Sequence, residues 1–271
     1  MGNTPEAIVI RDIERISEMR EVENLQKEIW GVEDRDVFPA LALIPLLEVG
    51  AILIGAFHQN RMVGFVFGFP GISNGQTIIH SDMLGVKVEY RSMGLGYLLK
   101  LAQRDKAIAA GIKTISWTFD PLQSRNAHLN FARLGVIADR YEIDFYGETS
   151  SFLHQTGTDR LWLTWQITSE RVDARVNGPV TGVPELVFGQ IPAIVSVEDD
   201  LGPLTHETVS GERVLIEIPM GLGDSAKTDV ASRWRVATRT GFTRALRQGY
   251  VVEEFYRNSG DGKGAYLLRR R

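Results

Sequence analysis

The chain contains no cysteine. That excludes disulfides, a thiolate nucleophile and any zinc site built on Cys ligands. Histidine is scarce: the five in 271 residues are scattered, with no close pair at metal-ligand spacing, so no metal is expected. An excess of positive charge is also missing. Thirty Lys and Arg stand against 34 Asp and Glu, a net charge of −4, and the longest basic cluster is the terminal Arg269-Arg270-Arg271. Such a balance argues against a nucleic-acid partner. No apolar run approaches the roughly 20 residues of a membrane-spanning helix, and the N-terminus lacks the apolar core of a secretory signal. Met1-Gly2 opens like an acylation signal, but Glu6 stands where Ser or Thr is required. The expectation is a soluble, cytoplasmic protein with no membrane partner. With an ordinary 44% of hydrophobic residues, the chain is long enough for one large or two modest domains.

The informative stretch runs from His80 to Gly96, His-Ser-Asp-Met-Leu-Gly-Val-Lys-Val-Glu-Tyr-Arg-Ser-Met-Gly-Leu-Gly. Its first half reads as a strand, with Met83, Leu84, Val86 and Val88 as an apolar run rich in a strand former. Its second half, Arg91 to Gly96, leads into Tyr97-Leu-Leu-Lys-Leu-Ala. There Leu95, Leu98, Leu99 and Ala102 recur at helical spacing, and Gly111 stands where a C-terminal cap belongs. Strand, glycine turn and helix in that order expose backbone N–H groups at the positive end of a helix dipole, which suits a phosphate. Gly94 and Gly96 let a ligand approach the backbone, and Arg91 adds a charge able to pair with a diphosphate. A P-loop would need Lys-Ser/Thr at its end, and Tyr97-Leu98 follows Gly96 instead. A dinucleotide fingerprint would need a third glycine and an acid at the tip of the next strand, which residues 111–117 do not offer.

What remains, R-x-x-G-x-G between a Val-rich strand and a helix, resembles the acetyl-CoA site of the GNAT superfamily of N-acyltransferases. The resemblance implies that the amides of the turn, Arg91, Ser92, Met93, Gly94, Leu95 and Gly96, hold the pyrophosphate of coenzyme A. It implies too that the backbone of the preceding strand, at Leu84, Val86 and Val88, bonds the pantetheine arm. The order of elements supports it: a strand at 7–10, helices at 16–30 and 38–49, and strands at 52–57, 62–69 and 77–88. A helix at 95–110, a strand at 114–119, a helix at 126–134 and strands at 141–146 and 161–167 follow. This is the order of the GNAT fold, an α/β (α+β) mixed central sheet flanked by helices, and it covers residues 5 to about 168.

In that family the helix before the last two strands carries an Asn near its start, here Asn126, which touches the pantetheine arm, and a Tyr that protonates the leaving thiolate. Four residues before Gly135 stands Phe131; counted from Asn126, the Tyr position falls on Arg133. Neither is a Tyr, so Tyr141, Tyr146 or water would have to serve, or the chemistry needs no dedicated acid. Amine acylation also needs a base. His80 and Asp82 sit at offsets that resemble those of bases in GNAT enzymes such as the arylalkylamine acetyltransferases, and strand alternation puts both on one face if no bulge intervenes. The implied activity is transfer of an acetyl or short acyl group from acetyl-CoA, as co-substrate, to the amine of a small molecule or peptide. An acyl-CoA-binding sensor or scaffold without turnover stays open beside it.

Beyond Ser169 the texture changes. Residues 177–203 are rich in Gly and Pro and read as a connecting segment with short strands at 185–188 and 193–197. A strand at 213–219 follows. A helix comes next, capped by Ser225, carrying Val230, Trp234, Ala237 and Ala245 and closed at Gly249. Strands at 251–256 and 265–268, separated by Gly260-Asp-Gly262, complete the chain. The expected division is a GNAT domain at 1–168 and a smaller αβ domain at 169–271. Strand, helix, strand, strand repeats the order of residues 114–167, by duplication or by chance. The second part is expected to cover a wall of the acceptor site or to form a homodimer contact.

Overall fold

A computed structural model describes residues 7–178, 190–198, 202–207, 211–222, 228–258 and 262–271. These fall into two compact units: the described residues up to Trp117 with Thr149–Phe152, and Thr118–Glu148 with those from Leu153 on. This is a division of contacts, distinct from the division after Thr168 expected from the family's element order. The expected strand at 185–188 and the cap at Ser225 lie outside the described residues.

The first unit contains β1 Val9–Asp12, α1 Ile16–Trp30, a 3-10 turn Asp34–Asp36, α2 Ala40–Glu48, β2 Ile52–His58, β3 Arg61–Ser73 and β4 Gln76–Val86. A 3-10 helix Val88–Met93, α3 Leu95–Ala109 and β5 Thr114–Phe119 follow, the last running into the second unit. The strand order is β1-β2-β3-β4-β5, antiparallel up to β4 and parallel between β4 and β5. One sheet face is covered by α1 and α2. Met19, Val22, Leu25 and Ile29 of α1 pack with Phe57, Phe65, Phe67 and Met83 of the strands, the amphipathic stripe read from the sequence. Gly31, in the left-handed region at φ 65°, ends α1. At Gly85 the helix comes close to the sheet: a Cβ there would lie 3.0 Å from Ile29 and 3.1 Å from Phe65. The other face carries α3, which Gly111 closes at φ 75°. Its N–H bonds to Ile108, and that of Ile112 to Ala107, in the manner of a Schellman cap.

The second unit contains α4 Ser124–Ala127, one wide π turn His128–Arg133, β6 Ile137–Glu142, β7 Arg160–Gln166, α5 Glu170–Val176, β8 Ala193–Val197 and β9 Pro203–Thr205. It continues with β10 Arg213–Pro219, α6 Thr228–Arg247, β11 Tyr250–Asn258 and β12 Lys263–Arg270. The strand order is β7-β6-β11-β12-β10-β8-β9. The predicted strand, helix, strand, strand of the C-terminal part is present as β10, α6, β11 and β12, and hairpins β6–β7 and β11–β12 meet at the antiparallel rung Val252↔Ala138. The elements differ in places from the sequence reading. The strand expected at 141–146 is β6, four residues earlier, because the chain turns at Asp144, φ 46°. The short helix α5 was not expected; Ser169 caps it by accepting from the Val172 N–H.

Candidate active site

The turn after β4 has the features the motif predicts. The strand ends at Val86, and Val88, expected as its last residue, begins the 3-10 helix Val88–Met93 and is 67% exposed. Gly94 follows with φ 73°, the left-handed region that favours glycine. A Cβ there would meet nothing within 4 Å, so the turn faces open space. Helix α3 starts at Leu95 with no side-chain cap, leaving its first N–H groups to an external acceptor. Met93 is exposed and Leu95 is buried as an anchor of the helix. Arg91 is exposed and donates from Nε to the Val86 carbonyl at 3.3 Å, which holds it beside the turn.

The strand leading to this turn is half unpaired. On either side of Ser81 and Asp82 the neighbour β3 is bonded to β4, but β5 matches it only at Ile79↔Ile115 and His80↔Ser116. Beyond His80 no rung joins β4 to the first unit's part of β5, and that edge of β4 offers backbone groups at Leu84 to an extended ligand, while the Val86 carbonyl already accepts from Arg91. The fork therefore opens immediately after His80 and Ser116 and leads to Gly94.

A bulge stands at the fork. Phe67 pairs with Met83 and Phe69 with His80, so Gly68 alone opposes Ser81 and Asp82. A Cβ at Gly68 would lie 2.9 Å from the His80 carbonyl oxygen, and no larger residue fits there without movement. The condition attached to the alternation argument is thus not met, and alternation no longer assigns His80 and Asp82 to one face. His80 is half-buried on the face of α1 and α2. Its ring lies 5.6 Å from that of Phe69, and its Nδ1 is 3.4 Å from Ser116 Oγ. Asp82 lies on the bulge, exposed by area, yet the surrounding protein desolvates its carboxyl and raises its pKa.

The opposite face of the same fork holds a group that the sequence reading missed. Lys100 of α3 is 1% exposed. Its Nζ donates to Ser81 Oγ at 2.9 Å and to Gln103 Oε1 at 3.1 Å, and lies 3.5 Å from the centre of the Trp117 ring. Desolvation lowers its pKa well below the ordinary lysine value. Gln103 is fully buried, and its Nε2 has no hydrogen-bond partner. The signal was present in the sequence. Leu95, Leu99, Gln103 and Ala107 form one four-residue ridge, all buried, with Lys100 beside it, whereas Leu98, counted in the predicted stripe, is 44% exposed.

The second unit holds the remaining predicted residues. Asn126 is exposed on α4. Phe131 is fully buried, packed edge-on against Tyr266 at 5.7 Å and near Phe119 at 6.2 Å, so it is a core side chain. Tyr141 donates to Asp159 at 2.7 Å; burial and that carboxylate push its hydroxyl far up. Tyr146 is exposed, with its hydroxyl 3.3 Å from Thr118 Oγ1 and its ring stacked on His154. Asp120, unassigned from the sequence, forms a two-pronged ion pair with Arg235, both bonds 2.7 Å. Burial opposes the Arg235 charge, and Asp120 outweighs it, so the guanidinium pKa is raised. Asp159, fully buried, accepts from Nε and Nη2 of Arg239, one helical turn further on.

No protein-family model matches the chain, and no curated protein matches it. Solved structures do. The aminoglycoside 6'-acetyltransferase type Ii is 17% identical with a TM-score of 0.47, over 59% of this chain and 98% of its own. The ribosomal-protein-S18-alanine N-acetyltransferase from Escherichia coli is 12% identical with a TM-score of 0.47, over 60% and 96%. A protein assigned to the GNAT family of acetyltransferases, from Desulfovibrio desulfuricans, is 13% identical with a TM-score of 0.47, over 60% and 100%. The similarity is one of fold. Among the described residues, no cluster of three or more His, Asp or Glu is placed to hold a metal ion, and no helix is long and apolar enough to cross a membrane.

Proposed function

We propose that the chain is an acyl-CoA-dependent N-acyltransferase, moving an acetyl or short acyl group to an amine by direct attack in a ternary complex. Residues 1–168 carry the reaction and 169–271 form an αβ addition. The observation that carries the reading is the fork between β4 and β5. An unpaired strand edge starts beside His80 and ends at an uncapped helix start where Gly94 faces open space. The turn from Arg91 to Gly96 suits the pyrophosphate, the edge at Leu84 and Val86 suits the amide-containing arm, and the thioester then falls at the fork. His80, on the face of α1 and α2, takes the proton of the attacking amine, through water where the amine does not reach it. Asp82, on the adjoining bulge, is the second candidate for that proton. The acceptors named for similar structures, an aminoglycoside and a protein alanine, make small-molecule and peptide amines the two classes to screen.

The test is a calorimetric titration with coenzyme A, followed by thiol release from acetyl-CoA across an amine panel. Gly94→Glu places a side chain and a negative charge in the open space of the turn. Affinity should fall at least tenfold, about 1.4 kcal/mol; a folded variant with unchanged affinity refutes the placement. The burial of Phe131 favours a second reading, an acyl-CoA-binding protein without turnover, which tight coenzyme A binding without thiol release on any amine would support.

A further inference from the structure

We infer that Lys100 and Ser81 form the proton path to the leaving thiolate, the role for which neither Phe131 nor Arg133 is suited. The inference rests on the acyltransferase reading. Four observations carry it. Ser81 and Trp117 are the first residues of their strands beyond the last paired rung, His80↔Ser116, so they stand at the apex of the fork. Lys100 Nζ touches both, at 2.9 Å from the Ser81 hydroxyl and 3.5 Å from the Trp117 ring centre. Ser81 belongs to the bulge, where the chain bends away from regular pairing. Finally, Gln103 Nε2, in the same cluster, is a buried donor with no partner, and a native core rarely leaves such a group unsatisfied unless a ligand or water completes it.

The two faces of the fork then divide the chemistry. His80 and Ser116 lie on the face of α1 and α2, and Lys100, Ser81 and Gln103 on the face of α3. The acceptor nitrogen forms the new C–N bond at the thioester carbonyl carbon, and the C–S bond breaks with its electron pair going to sulfur. Sulfur takes the Ser81 hydroxyl proton, and Ser81 takes one from the Lys100 ammonium. The proton lost by the amine leaves on the His80 side, and Lys100 regains its own from solvent before the next turnover. Desolvation makes a buried lysine a readier donor than an exposed one. The helix α3 that bears it also carries Tyr97, Arg104, Asp105 and Lys106; of the strands α3 packs on, β4 carries His80 and Asp82, β3 Arg61, β2 His58 and β1 Arg11 and Asp12, and the β5 residues of this unit contribute none. Lys100 acts through Ser81, so it is a positioning residue, and activity alone does not test it.

The decisive experiment follows the Lys100 side chain by NMR in lysine-labelled protein, assigned by its loss in Lys100→Met. Its titration should move when coenzyme A is added and stay in place with desulfo-coenzyme A, which binds the same turn without a thiol. Identical titrations with both overturn the path. Kinetically, Lys100→Met and Ser81→Ala should each lower kcat at least tenfold with little change in the KM for acetyl-CoA and remove the alkaline limb of the pH profile. Ser81→Thr, which keeps the hydroxyl, should restore it. Wild-type turnover with unchanged kcat and pH profile in folded Lys100→Met or Ser81→Ala overturns the path and leaves the acyltransferase reading standing. If wild-type protein fails to bind coenzyme A, that reading falls and the path with it. Should Lys100→Met not fold, Ser81→Ala and the two titrations on Ser81→Thr, with the lysine resonance assigned through neighbouring couplings, decide.

Discussion

Removing Asp120 should destabilise the second unit far more than an ordinary ion pair would. The Asp120 and Arg235 side chains are only 11% and 4% exposed, and two bonds of 2.7 Å join them. Asp120 also accepts from the Leu122 N–H at 2.9 Å. Asp120→Ala leaves the guanidinium with the Thr156 carbonyl as its remaining partner in this network, at 3.2 Å. An exposed pair is worth about 0–1 kcal/mol, whereas breaking a buried pair from one side costs about 3–5 kcal/mol, because a charge is left without its counter-ion. At about 2–4 °C per kcal/mol for a chain of this size, the melting temperature should fall by roughly 10 °C. The second substitution separates this from a simple loss of contacts. Adding Arg235→Met to Asp120→Ala removes the stranded charge and should recover half or more of the loss. Guanidinium unfolding of the two single variants and the double variant, as a thermodynamic cycle, measures both effects. A loss below about 1 kcal/mol in Asp120→Ala, or a double variant no more stable than Asp120→Ala, would refute the reasoning.

Three further outcomes are expected. His80→Gln should lower kcat by roughly 10² with little effect on acetyl-CoA binding; normal turnover with an unaltered pH–rate profile counts against His80 as the base. Glu18 is held at a pKa of about 2, chiefly by its hydrogen bond to Arg11 and also by Arg15. A depressed carboxyl contributes stability above its unfolded value of 4.5 and loses it as pH falls toward 2. Glu18→Gln should therefore destabilise at neutral pH and converge with wild type at the acid end, as read by melts across that window. Truncation after Thr168 removes β11 from β6, Arg239 from buried Asp159 and Tyr266 from Phe131; the fragment should precipitate or bind a hydrophobic dye, and a soluble, monomeric fragment with wild-type kinetics would contradict this.

The parts of the site written in consecutive residues were legible in the sequence. The turn from Arg91 to Gly96 and the caps at Gly31 and Gly111 depend on local backbone preference, which glycine announces. The bulge at Ser81-Asp82 was not legible, because its cause, Gly68, lies on another strand and declares itself only once the register is known. Lys100 was passed over because a lysine in a helix is ordinarily counted as solvent-facing, although the ridge through Leu99 and Gln103 runs beside it. The Asp120–Arg235 pair spans 115 residues, and no local pattern links positions so far apart. The place of Phe131 in the core beside Tyr266 depended on the C-terminal strands, whose packing the sequence does not encode locally.

The rung between Val252 and Ala138 has a consequence for assembly. A strand at the end of a sheet offers a template on which another molecule can extend it, and proteins that remain monodisperse must blunt such ends. Here the chain's own β11 occupies that edge of β6 at Ala138, which leaves a second copy less of it to pair with. One terminal strand of each unit is short, four-residue β1 and three-residue β9. The latter begins with Pro203, which supplies no N–H to a newcomer. Self-association by strand addition is thus discouraged at these two ends.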